Sequence, residues 1–446
     1  MASAAEQLAA NLNFSAFSKA TELRKRIMFT LGALIVYRLG TYIPLPGIDI
    51  AVYAEAFNHA QTGILGQLNM FAGGAVKRMA VFALNIMPYI SASIIMQLMT
   101  AVVPSLEALK KEGEQGRKKI NQYTRYGTVV LAVFQAYGIA ASLLGTDPPV
   151  VTMSNPFLFQ ASTVITLVGG TVFLMWLGEQ ITARGVGNGI SLIIFAGIVA
   201  ELPRAFTGTL ELGARGGLPT LVIVGLLVLI VAVITFIVFM ERAQRRLLVQ
   251  YPKRQVGNKM FGGESSHLPL KLNVSGVIPP IFASSLLLLP VTIANFNAAG
   301  SGNRWLDAIV ASLQHGRPLY MLLYAGGIIF FCFFYTAIVF NPTETADNLK
   351  KYGGFIPGIR PGKRTADYID YVLTRLTVVG ALYITVVCLF PEFLIAEWGL
   401  PFLFGGTSLL ICVTVTMDTV AQIQSHLLAH QYEGLIKKAK LRGSRR

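Results

Sequence analysis

Residues 79–103 read MAVFALNIMPYISASIIMQLMTAVV. No charged side chain interrupts this run, and it exceeds the roughly 20 residues an α-helix needs to cross a bilayer's hydrocarbon core. Ile86 and Ile90 stand at i and i+4 on one helical face. Pro88 between them removes a backbone hydrogen bond and permits a kink. Ser91, Ala92, Ser93 and Gln97 follow, and mid-span polar groups favour contact with protein or water over lipid. Isoleucine pairs in membrane helices ordinarily face lipid or another helix, so periodicity alone assigns this pair no special role.

Outward from this run the pattern repeats. Nine further apolar segments lie near 27–44, 126–145, 158–182, 190–206, 218–240, 276–296, 318–340, 374–393 and 403–428. The connections on one side (1–26, 104–125, 183–189, 241–275, 341–375 and the tail from 429) hold thirty of the 37 lysines and arginines. The exceptions are Lys77, Arg78, Arg204, Arg215, Arg304 and Arg317 on the other side, and Arg38 within the first span, where it can snorkel. Basic residues beside a span resist transfer across the bilayer, so the richer side is cytoplasmic, and so are both termini. That asymmetry accounts for the formal charge of +15 without nucleic acid.

Charged residues make up only 13% of the chain, about half the share of an ordinary soluble domain. The 43 glycines suit close helix crossings and helices that bend. The polar start has no cleavable secretory pattern, so the first span serves as an uncleaved insertion signal. Cys332, Cys388 and Cys412 lie inside spans without paired spacing and read as buried apolar residues rather than a disulfide or metal site. Five spans end near residue 206 and five begin near 218, with Gly213, Gly216, Gly217 and Pro219 at the junction. An odd number per half inverts one half relative to the other and sets a working site between them at the midplane.

Directly before span 2, Gly63–Gly74 (GILGQLNMFAGG) is apolar, glycine-bounded and too short to cross. Composition leaves two readings open. One is a re-entrant segment, tolerated only where protein or a cavity surrounds it. The other is a half-helix resting on the outer surface.

Ionisable groups inside the spans are few. Asp418 lies near the cytoplasmic end of span 10, and Glu179 near that of span 4 beside Arg184, where a structural salt bridge is expected. They form no relay, which weighs against an ion-coupled solute transporter. An intramembrane protease would need paired aspartates or a Ser–His dyad, and Asp418 is alone. Gly358–Arg364 (GIRPGKR) departs from a phosphate loop in glycine spacing and has Arg where Ser or Thr would bind magnesium. Gly185–Gly189 follows no strand, so it is a tight reversal between spans 4 and 5. No cofactor and no metal is expected, and energy must come from elsewhere.

The runs NMFAGGAVKR, IMPYISASIIMQL, KKEGEQGRKKINQYTRYGT, FLMWLGEQITARGVGNGIS, HLPLKLNVSGVIPPIFASS, FFYTAIVFNPTETADNLKKYGGFIPGIRPG and PFLFGGTSLLI together resemble the bacterial SecY protein-translocation channels over nearly the entire chain. The resemblance implies an all-α membrane protein. Its ten transmembrane helices form two inverted five-helix halves (27–206 and 207–428) around an hourglass pore that conducts unfolded polypeptide. By position, the constriction would comprise Ile86, Ile90, Ile194, Ile281 and Ile411, with Ser285 beside them. A ring of branched apolar side chains dewets a narrow pore and blocks ions, yet can part around a polypeptide. Residues 64–78 would be a plug helix (Ile64, Leu65, Gly66, Leu68, Met70, Phe71, Gly73, Gly74), its glycines suited to hinging. Spans 2 and 7 would form a lateral gate towards lipid, with Pro88, Ser91, Gln97, Pro279, Phe282 and Leu286. The doubled Pro279–Pro280 is expected to weaken the start of span 7 as a rigid helix.

The basic connections 241–275 and 341–375 are longer than most here. Topology explains their sign, and contact with anionic lipid heads follows from it. Their length suggests partner docking. The resemblance assigns them to the SecA motor ATPase or the ribosome, where rRNA phosphates would meet the basic side chains. Arg360 is the leading docking residue, followed by the 254–260 tip (Arg254, Lys259), with Lys363 and Arg364 nearby. It further implies the companions SecE and SecG, signal sequences and nascent polypeptides as cargo, a bacterial plasma membrane, and no catalytic residue. The segment 1–26 and the basic tail 429–446 would lie in the cytoplasm.

Overall fold

The computed structural model describes residues 21–60, 69–145, 149–214, 219–251, 254–256, 259–261, 265–287, 317–398 and 405–443. The plug candidates Ile64, Leu65, Gly66 and Leu68 lie outside the described residues.

Each of the ten apolar segments carries a helix. In chain order these are α1 (Thr21–Gly40), α3 (Met87–Val102), α5 (Glu114–Leu144), α6 (Pro156–Arg184), α7 (Gly189–Ala214), α8 (Thr220–Arg242), α9 (Ile278–Leu287), α10 (Pro318–Val339), α12 (Lys363–Trp398) and α13 (Gly406–Gly443). Shorter helices α2 (Ile50–Ala60), α4 (Pro104–Lys111) and α11 (Pro342–Lys351) lie between them. Seven of the described helices are long and apolar enough to cross a membrane. Several outgrow their apolar segment, because helix propensity and capping do not stop where the bilayer does. Starts are chemically marked: the Asn155 side chain accepts from Phe157 N before α6, and Asn341 accepts from Thr343 N and Glu344 N before α11, each followed by proline. An Asx cap with proline at the first helical position satisfies or removes orphan donors.

Span 2 departs from expectation. Only Met87–Val102 of it is helical; residues 72–86 are a chain of turns, with left-handed Met79 (φ 43°) and Asn85 (φ 49°) and an isolated bridge from Pro44 to Ala80. This backbone is buried, with Ala75, Ala80 and Ile86 at or near zero exposure. Irregular backbone at membrane depth is stable only under such cover. Pro88 therefore produces no kink. It occupies the first turn of α3, where a missing N–H costs nothing. The sharp change of direction comes at Val103, where α3 and α4 meet at 97°. Pro279 and Pro280 likewise sit in the first turn of α9, and instead of weakening the helix they begin it.

The helical fold carries one small β element. The 241–275 connection is a β-hairpin, so the protein is helical with a small β appendage. β1 (Gln244–Gln250) pairs antiparallel with β4 (Ser265–Lys271), and β2 (Arg254–Val256) with β3 (Lys259–Phe261). Leu247 and Val249 point inward while their neighbours face out.

The main core gathers buried side chains from α1, residues 70–86, α3, α6–α10, α12 and α13. Outward faces are apolar too: Leu221, Val228, Val231 and Phe239 on α8 and Leu322 on α10 are all exposed. Apolar inside and outside together is the composition of a helix bundle solvated by lipid.

Candidate pore and plug

The N-terminus of α3 organises the site. Ile86 immediately precedes the helix, and Ile90 N donates to Ile86 O at 3.1 Å, which stacks the two side chains on one face. Ile86 (1% exposed), Ile90, Ile194 from α7 and Ile411 from α13 (1%) belong to one contiguous buried cluster. Ile281 from α9 packs against it, partly buried. Four helices and the turn before α3 thus deliver the five isoleucines to one apolar mass. Ser285, one turn beyond Ile281, is buried with its Oγ lacking a protein partner.

Met70 and Phe71 lie in the same cluster as these isoleucines. The backbone after them is pinned. Asn85 Nδ2 donates to Phe71 O at 2.6 Å. Arg38 Nη1 donates to Gly73 O at 2.6 Å and Arg78 Nη2 to the same oxygen at 2.8 Å. Arg78 Nε also donates to Thr41 O at 3.0 Å. Both guanidiniums lie over the Tyr42 ring, Arg38 at 5.1 Å and Arg78 at 4.2 Å. Arg38 therefore does not snorkel; it closes onto the chain ahead of span 2. Burial, and then the nearby Arg204 charge, hold the Lys77 ammonium below the usual lysine range.

Gly73 and Gly74 have φ of +63° and +80°, a conformation glycine adopts without steric cost. Gly73 also lies against Gly197 of α7: a Cβ on Gly73 would sit 3.1 Å from Gly197 Cα, and one on Gly197 would collide with Phe71 O. In this structure the two glycines serve a close backbone crossing.

The proposed gate residues divide between two faces. Pro88 and Ser91 are buried on α3, and Gln97 Nε2 donates to Ser93 Oγ at 3.4 Å within that helix. Phe282 of α9 is directed at α10, edge-on to Phe331 and Tyr335 (5.7 and 6.4 Å). Leu286 is exposed.

Glu179 does not pair with Arg184. It takes a two-pronged contact from Arg125 of α5, Nε and Nη2 at 2.9 and 2.8 Å. The Gly185–Gly189 turn is a tight reversal, as expected, and is tied to distant helices. Val186 N donates to Thr30 Oγ1 of α1, and Gly187 N to Gln422 Oε1 of α13. Among the described residues no three His, Cys, Asp or Glu side chains come together as a metal site would require.

The two basic connections form one unit, which the sequence reading missed. Gln250 and Phe355 exchange backbone hydrogen bonds at 2.9 and 3.0 Å. Leu247, Leu270, Ile356 and Ile369 form a joint core beneath them. Arg360 is exposed on the glycine-bounded turn that leads into α12, and Lys363 and Arg364 are exposed in the first turn of that helix. Arg254 and Lys259 lie in the short β2–β3 ladder at the hairpin's far end. The sequence QRRLLVQ carries no period-two alternation, since Leu247, Leu248 and Val249 are consecutive apolar residues, and only the structure separates the inward Leu247 and Val249 from the outward Leu248.

The family model SecY matches residues 80–420. The chain belongs to the SecY family. It is 58% identical over 423 residues to the protein translocase subunit SecY of Escherichia coli K12, covering 95% of this chain and 96% of that protein. It is 57% identical over 432 residues to the Vibrio cholerae subunit, covering 96% and 97%. Among solved structures, one described as a protein conducting channel superimposes with a TM-score of 0.65 at 17% identity, covering 91% of this chain and 92% of that one. A structure of canine Sec61 in a ribosome–channel complex gives 0.61 at 16% identity, with the same coverages. A further SecY structure, described as showing that the plug domain stabilises the closed state and maintains a membrane seal, gives 0.63 at 17% identity. The SecY/Sec61 fold is thus shared along nearly the full chain.

Proposed function

We propose that this chain is the pore of a bacterial translocase, moving unfolded polypeptides across the plasma membrane and releasing apolar segments sideways into it. The observation that carries this reading is the single buried cluster that joins Ile86, Ile90, Ile194 and Ile411, with Ile281 against it, to Met70 and Phe71 of the segment before span 2. A collar of branched apolar side chains holds no ordered water or ion, so it insulates when closed. It offers no directional hydrogen bonds, so it fits any polypeptide sequence.

Residues 64–78 act as the plug. The described part, from Asn69 onward, enters the same apolar mass as the collar, and its carbonyls are held by Asn85, Arg38 and Arg78. The lateral gate lies between α3 and α9, lined by Pro88, Ser91, Gln97, Pro279, Phe282 and Leu286. Leu or Ile at the centre of a passing segment contributes about −0.3 to −0.6 kcal/mol towards lipid, while Lys or Arg costs roughly 2.5–3.5. A segment with ten or more such apolar residues partitions sideways and a polar one continues through. That choice needs no catalytic residue.

The hairpin and the turn before α12 receive the driving partner, a SecA motor or a ribosome, through Arg360, Lys363, Arg364, Arg254 and Lys259. The relation to a Sec61 that was solved on a ribosome supports the ribosomal partner. SecE and SecG are the expected companions in the bacterial inner membrane, and the basic connections and both termini face the cytoplasm.

Conductance tests the reading. In planar bilayers the purified complex should be closed to ions at rest and conduct once signal peptide is added. Equal conductance in both conditions would overturn it.

A further inference from the structure

Asn85 links two parts that the plug-and-collar reading treats separately. It directly precedes Ile86, the collar residue at the entrance of α3, and its side chain reaches back to the carbonyl of Phe71 at 2.6 Å in a fully buried contact. Its backbone is left-handed at φ 49°, a conformation that Asn tolerates far better than most residues with a Cβ. Asn85 N is held by Phe82 O, so the turn itself is closed independently of the side chain.

We infer that Asn85 is a positioning residue that latches the plug to the collar and so sets how strong a signal is needed to open the channel. The geometry makes the two movements one event. Displacement of the N-terminus of α3 carries Ile86 and Asn85 together, and the amide can follow only by pulling or releasing Phe71. Release leaves a carbonyl and an amide without partners in an apolar surrounding, a penalty that a strong signal sequence offsets and a weak one does not. Arg38 and Arg78 both hold the next anchor, Gly73 O, from partly buried positions, so that oxygen keeps a partner when either one lets go. The buried bond is therefore the discriminating one.

This inference rests on the plug-and-collar reading, and the experiment separates the two. Asn85→Gly keeps the left-handed turn and removes only the side chain. Resting conductance is measured in planar bilayers, and export is measured for a precursor with an intact signal and for one with a charged residue in the signal's apolar core. The expected result is a rise of about tenfold in resting open probability, the scale of one buried hydrogen bond. A comparable gain in export of the crippled precursor should accompany it, with intact-signal export unchanged. If Asn85→Gly behaves as the parent in both assays while deletion of Ile64–Gly74 leaks, the latch is wrong and the plug stands. If neither variant leaks, the plug reading falls and the latch with it. Should the glycine variant fail to assemble, Asn85→Ser, too short to reach Phe71 O, is scored by the same criteria.

Discussion

Arg38 and Arg78 converge on a single acceptor, the carbonyl oxygen of Gly73, at 2.6 and 2.8 Å. One comes from the C-terminal turn of α1 and the other from the chain leading into span 2. With either arginine lost, the other still satisfies the oxygen. Arg38→Ala and Arg78→Ala should each cost about 1 kcal/mol, and the double variant more than the sum, because only then is Gly73 O stranded. Unfolding midpoints in detergent for the three variants check this; strict additivity would show that the arginines act independently.

Gly197 of α7 meets the chain at Phe71 and Gly73 with no space for a methyl group. Gly197→Ala should destabilise by about 1–3 kcal/mol through overpacking. Gly208 in the same helix has open space at its Cβ position, so Gly208→Ala should be neutral or stabilising by up to about 1 kcal/mol. Thermal unfolding of both variants side by side supplies the comparison, and equal effects would refute the close crossing.

Arg125 and Glu179 form a two-pronged ion pair between α5 and α6, with side chains 49% and 34% exposed. At that exposure a pair contributes about 0.2–1 kcal/mol. Glu179→Gln should lower stability by that small amount at low salt, and the difference should largely vanish at about 1 M salt. A salt-insensitive loss would mean that Glu179 acts through packing.

Arg360 is exposed at the turn before α12, while its backbone oxygen is held by Thr365 Oγ1 at 2.9 Å. Reversing its charge should leave the fold intact, with stability within about 0.5 kcal/mol of the parent. Arg360→Glu should impair motor-driven secretion more than ribosome-coupled insertion. Parallel assays of the two routes decide, and equal loss would indicate a shared docking site.

The positions of the helices were legible because they are written in local chemistry. Apolar length and basic flanks need no partner to be read, and every apolar segment carries a helix. Span 2 shows the limit. Residues 79–86 are as apolar as the helix that follows, and composition cannot separate a buried helix from buried turns. The left-handed Met79 and Asn85 leave no such trace. The hairpin left a weaker trace, because the outward Leu248 between the inward Leu247 and Val249 is apolar too and hides the period-two alternation of a strand. The collar isoleucines came from family resemblance, not periodicity, because an i, i+4 pair on an apolar helix is ordinary. Arg38, Asn85 and the Arg125–Glu179 pair rest on contacts 14 to 54 residues apart in the chain. No local signal encodes such a separation.

The most direct test of the central claim is crosslinking from a single cysteine at Ile90, in a chain whose Cys332, Cys388 and Cys412 have been replaced, to a secretory precursor arrested midway. A polypeptide threading the isoleucine collar must pass this side chain, so a crosslink should form with the arrested precursor and disappear when the precursor is absent or fully exported. An engaged precursor that never crosslinks at Ile90, with the protein folded, would place the conducting path elsewhere.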